Sequence, residues 1–113
     1  MLEKAEKVFV ITRRLFEEDR IRLFDGEVQA SSDAAIRVRG HAFVHDDFTN
    51  EIVRREDIRT RIISLADAIN IIMVIPKEVI LENIQYQINN MNERVITDKD
   101  AFSMNLNEFG ASK

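Results

Sequence analysis

The segment INIIMVI, residues 69–75, is closed by the chain's single proline, Pro76, and it limits the fold more than any other stretch. Read at a two-residue period, it carries Ile69, Ile71, Met73 and Ile75 on one face and Ile72 and Val74 on the other. Asn70 is its one polar interruption. A strand that is apolar on both faces must be covered on both. Two arrangements satisfy this. The segment is a central strand covered by the C-terminal part of the chain, or it is an edge strand covered by a second copy. A bare edge would invite aggregation.

The earlier part of the chain supplies further strands. Residues 7–16, KVFVITRRLF, are rich in β-branched and aromatic residues and read as a strand from about Val8, after a short helical lead-in. Their apolar positions also fit a helical period. Residues 25–40, DGEVQASSDAAIRVRG, read as two strands folded back on each other. Phe24, Gly26, Val28 and Ala30 share one face, against Asp25, Glu27 and Gln29. Beyond Ser32 and Asp33, Ile36, Val38, Gly40, Ala42 and Val44 share a face, against Arg37, Arg39, His41, Phe43 and His45. The serines and the aspartate offer side-chain acceptors that a turn uses. Folding there sets Glu27 opposite Arg37 or Arg39 and brings Gly26 and Gly40 to matching heights, where glycine permits a sharp bend.

Residues 45–57 are polar and read as a loop or a protruding hairpin tip; residues 59–65 are a strand and 66–68 a turn. Residues 79–88, 94–97 and 101–109 suggest additional strands. The chain of 113 residues fits one domain, with no linker, repeat or low-complexity tract.

Composition narrows the function. Cysteine is absent, which excludes disulfides and thiolate metal sites. No apolar run reaches the roughly 18–20 residues of a bilayer span, and MLEKAEK is too charged for a secretion signal. A soluble, cytoplasmic protein with no membrane partner is the expectation. Net charge is −4 and uneven: residues 1–40 balance eight Lys and Arg with eight Asp and Glu, whereas residues 67–113 carry four against seven. Any nucleic-acid contact must therefore be local. Ser31 and Ser32 lie near Asp33, but no histidine is placed to act as a base, and no glycine-rich phosphate loop exists. The chain is not expected to be an enzyme, and no cofactor is implied.

The order of bent strand pair, variable loop, strand, tight turn and apolar strand ending in proline resembles the Sm-like family, which includes the LSm proteins and the bacterial Sm-like RNA chaperone. Gly26-Glu27-Val28, Asp33 and AAIRVRG look like the first half of the family's signature, and IISLADAINIIMVIP like the second. The resemblance covers about residues 8–76. It implies an all-β, small, strongly bent, SH3-like barrel, with residues 77–113 a C-terminal β extension. It further implies a homo-oligomeric ring of about five to seven subunits, closed by edge pairing of one subunit's fourth strand with the next one's fifth. Ile62, Ile63, Ile71, Ile72, Met73 and Val74 would form that interface.

The resemblance also implies RNA binding, often at the central pore in pockets made by two loops, here Ser31–Ile36 and Ala66–Asn70. This chain departs from the pattern: the asparagine expected after Asp33 is missing, and Asp67 and Ala68 stand where Arg-Gly is usual. Asp33 and Asn70 are the pocket residues left. The basic residues Arg54, Arg55, Arg59 and Arg61, with Arg37 and Arg39, are the remaining RNA-contact candidates, since guanidinium groups suit phosphates. Phe43 and Phe48 could stack bases or fill the core. His41, His45, Asp46 and Asp47 are metal-ligand types, but His41 and His45 lie roughly 13 Å apart along a strand, so no metal is expected. Two functions stand: an RNA-associated ring, or a structural adaptor ring that binds protein and not RNA.

Overall fold

The computed structural model describes residues 2–13, 22–46, 48–49, 51–66 and 69–106. Among these, the chain is all-β, with two antiparallel sheets and one short 3-10 turn, Leu81–Asn83. The larger sheet contains β1 (Lys7–Thr12), β2 (Arg22–Ser31), β3 (Ala35–Asp46), β4 (Glu51–Arg54), β5 (Arg59–Ser64) and β6 (Asn70–Ile75); the smaller contains β7 (Gln85–Ile88), β8 (Arg94–Thr97) and β9 (Ser103–Asn105). No helix among the described residues is long and apolar enough to cross a membrane.

The hairpin read from residues 25–40 is β2 and β3. Its turn is held by the Ser32 amide donating to the Ala35 carbonyl at 2.9 Å, while the Ser32 hydroxyl oxygen accepts from the Ala34 and Ala35 amides. The register sets Glu27 opposite Arg39 and Gly26 opposite Gly40. A Cβ on Gly40 would lie 1.8 Å from the Asp25 carbonyl oxygen, and one on Gly26 would lie 2.6 Å from the Arg39 carbonyl oxygen. The two backbones approach closely here, which only glycine allows. One expectation fails: Ala30 does not share the face of Phe24 and Val28. A bulge at Gln29 adds a residue, so Val28 pairs with Val38 but Ala30 with Arg37, and the alternation inverts.

At twelve residues, β3 is long enough to hold two neighbours on its second edge, β5 along Ala35–Gly40 and β4 along Phe43–Asp46. The 45–57 segment is therefore a protruding hairpin, β3 to β4. On the other side, β2 pairs with β1, and β1 with β6. No ladder joins β5 to β6 among the described residues, so the curled sheet is not closed. The closed barrel expected from the resemblance is in this respect an open sheet with β4, β5 and β6 as end strands.

Each face of the sheet carries a buried core. Val8, Val10, Phe24, Val28, Ile36, Val38, Ala42 and Ile63 fill an inner core enclosed by the curl itself, with Ile72 against it. Phe9, Ile11, Leu23, Phe43, Ile52 and Ile75 point the other way and pack against Ile84, Ile96, Phe102, Met104 and Leu106 of the C-terminal region. The Phe9 ring lies 5.6 Å from Phe43 and 5.9 Å from Phe102, between centroids, within the range of favourable aromatic pairs. The Lys7 ammonium donates to the Lys77 and Val79 carbonyls, anchoring the chain as it leaves β6 for the second sheet. β6 is thus an edge strand and is also covered by the C-terminal part, so the two sources of cover do not exclude each other.

Candidate functional site

The end strands β5 and β6 flank a seam. Asn70 bridges it at one end: its side-chain amide donates to the Ser64 carbonyl at 3.2 Å, and its oxygen accepts from the Thr12 hydroxyl at 2.9 Å. This candidate pocket residue therefore ties β1, β5 and β6 together. Next to it is a cleft of about 280 Å³ lined by Val10, Thr12, Arg22, Phe24, Arg61 and Ile63, among others. Arg22, Thr12 and Asn70 sit side by side across β2, β1 and β6. The Arg61 guanidinium lies over the Phe24 ring, 4.9 Å from its centroid, a cation–π contact.

The six candidate interface residues divide. Ile63 is buried in the inner core, Ile72 packs on that core, and Ile71 and Met73 pack on the outer core. Ile62 and Val74 are left bare, 71% and 56% exposed, on the two end strands.

The arginines do not form one patch. Side chains of directly paired residues share a face. Arg37 and Arg39 thus project on the outer face beside Ile62 and Thr60, whereas Arg59 and Arg61 project on the inner face with Gly40 and Val38. Arg59 and Arg55 both meet the Asp57 carboxylate, at 2.7 and 3.7 Å. The hydrogen bond from Arg59 holds the Asp57 carboxyl below its usual range. Arg54 is half-buried on the outer face and donates to the Glu82 carbonyl at 2.6 Å. Arg22, Arg37, Arg39 and Arg61 have no acidic partner among the described residues. Asp33 is exposed in the hairpin turn. Asp67 and Ala68, two of the five residues of the second implied pore loop, lie outside the described residues. Phe43 is core, and Phe48 is fully exposed at the hairpin tip.

A second polar cluster was not foreseen. Asp25 is fully buried on the outer face, beside the glycine bend. One carboxyl oxygen accepts from the His41 amide at 3.3 Å, and the other has no partner. Burial raises its pKa to about 7, against the opposing pull of the Arg54 charge. Arg54 Nη2 lies 3.2 Å from His41 Nδ1. A guanidinium only donates, so Nδ1 accepts and the ring proton rests on Nε2. Strand alternation puts Asp25 on the same face as Leu23, which is in principle readable from sequence; that this face is buried there is not. Among the described residues no group of three or more His, Asp or Glu is arranged to hold a metal ion.

Neither the family models, the curated proteins nor the solved structures contain a match to this chain.

Proposed function

We propose that this chain is a Sm-like ring subunit that associates with RNA. The observation that carries the reading is the pair of end strands, β5 and β6, each with one unpaired edge and an exposed apolar side chain, Ile62 or Val74. They correspond to the fourth and fifth strands of the barrel that the resemblance implies. Pairing β5 of one copy with β6 of the next would satisfy both edges and cover both side chains. RNA would contact Arg37 and Arg39 on the outer face and Arg22 and Arg61 at the seam, since these guanidiniums have no acidic partner among the described residues. Binding by scattered arginines favours phosphates over bases, so little sequence preference is expected.

A structural adaptor ring is the second reading. It is favoured by the net charge of −4 and by Asp57, which occupies Arg55 and Arg59. A fluorescence-anisotropy titration with oligo-U and oligo-A at two salt concentrations separates the two. The RNA reading predicts similar affinities that fall with salt, and a slope reduced by about two when Arg37 and Arg39 are both replaced by alanine. Absence of binding at low salt leaves the adaptor ring.

A further inference from the structure

We infer that the seam cleft is a receptor for a phosphate monoester, the end group of a mononucleotide or of an RNA strand. Arg22 and Arg61 both line this cleft of about 280 Å³. Neither has an acidic partner among the described residues. The Arg61 guanidinium lies over the Phe24 ring, 4.9 Å from its centroid, a contact that holds its positive charge at the cleft while its N–H groups have no acidic partner among the described residues. Two guanidiniums in one concavity match a dianion, each donating to two of its oxygens; a single-charge phosphodiester needs only one.

The rest of the lining is suited to that group and adds no carboxylate. Asn70 uses its oxygen on Thr12 and one amide hydrogen on Ser64, which leaves a second amide hydrogen to donate. The Ser64 hydroxyl oxygen accepts from the Ala66 amide and keeps its own proton to donate. The same hydrogen bonds from Ser64 through Asn70 to Thr12 hold three of the cleft's lining residues together. Val10, Phe24 and Ile63 supply an apolar wall for a sugar or base edge behind the phosphate.

The site is built within one chain and does not depend on ring assembly. Its test is a set of titrations of the full chain. The probes are UMP, uridine, and one RNA dodecamer carrying either a 5′-phosphate or a 5′-hydroxyl. If the source is a free nucleotide, UMP binds and uridine does not. If it is an RNA end, the phosphorylated dodecamer binds about tenfold tighter than the hydroxyl form, the worth of one charge-assisted hydrogen-bonded pair. In either case Arg61→Gln and Arg22→Gln each abolish the preference, while Arg37→Gln, on the opposite face, leaves it. Circular dichroism of the Gln variants checks that they remain folded. Equal binding of phosphorylated and unphosphorylated probes, or a preference that survives both seam substitutions, overturns the inference. Neither result bears on the oligomer mass, so failure here is distinct from failure of the ring.

Discussion

The two faces of the large sheet are buried by different means. The inner face is closed by the sheet's own curl, which depends on Gly26 and Gly40 lying back to back. The outer face cannot curl over itself and is covered by a separate sheet, β7 to β9. Self-closure needs tight backbone contact and small residues at one point. Cover by a second layer needs large side chains spread over many points, and here it also buries a carboxylate, Asp25. The inner face should therefore fail abruptly at its bend, and the outer face should weaken by degrees.

The largest effect is expected from Gly40→Val. Its Cβ would lie 1.8 Å from a backbone oxygen, which no rotamer change relieves. The variant should show no cooperative thermal transition, and a melting point near the parent's would break the account of the bend. On the outer face, Ile96→Ala removes a fully buried side chain of β8 and should cost about 2–5 kcal/mol in urea denaturation while leaving a cooperative fold. A cost under about 0.5 kcal/mol, the size of a surface change, would mean the small sheet does not cover the large one.

Asp25 sharpens the contrast through pH. Its pKa rises from 3.8 to about 7 on folding, so between these values the folded chain holds a proton that the unfolded chain has lost. Stability should fall as pH rises from about 4 to about 7, by up to about 4 kcal/mol, and level off above. Asp25→Asn should remove this slope and be more stable than the parent at pH 8. An unchanged slope in the variant would assign the pH dependence to other groups. The smallest effect on intrinsic stability belongs to the seam: compared at a concentration low enough that both chains are monomeric, Ile62→Lys should change the unfolding free energy by less than about 0.5 kcal/mol, since the side chain is exposed in the single chain.

Alternation made much of this legible in the sequence. The two-faced pattern of residues 69–75 implied cover on both sides, and the glycine spacing with the Ser-Ser-Asp turn placed Gly26 and Gly40 at matching heights while leaving Glu27 opposite either Arg37 or Arg39. What escaped has physical reasons. The bulge at Gln29 leaves no mark on apolar alternation, because Gln29 and Ala30 are both tolerated near a surface. The arginines looked like one cluster because residues 54–61 span a break between two strands, across which facing is not a matter of counting. Asp25 looked like a solvated charge because the sheet that buries it forms from residues 84–106, far along the chain. The 3-10 turn that offers the Glu82 carbonyl to Arg54 has no signature at three residues.

The ring is the claim on which the proposed function rests, and light scattering behind gel filtration tests it most directly. A ring requires a parent mass several times 13.1 kDa and, for Ile62→Lys, a folded species of 13.1 kDa, because a charge on β5 opposes pairing with β6 of the next copy. A parent chain that elutes as a 13.1 kDa monomer at micromolar concentration would contradict it.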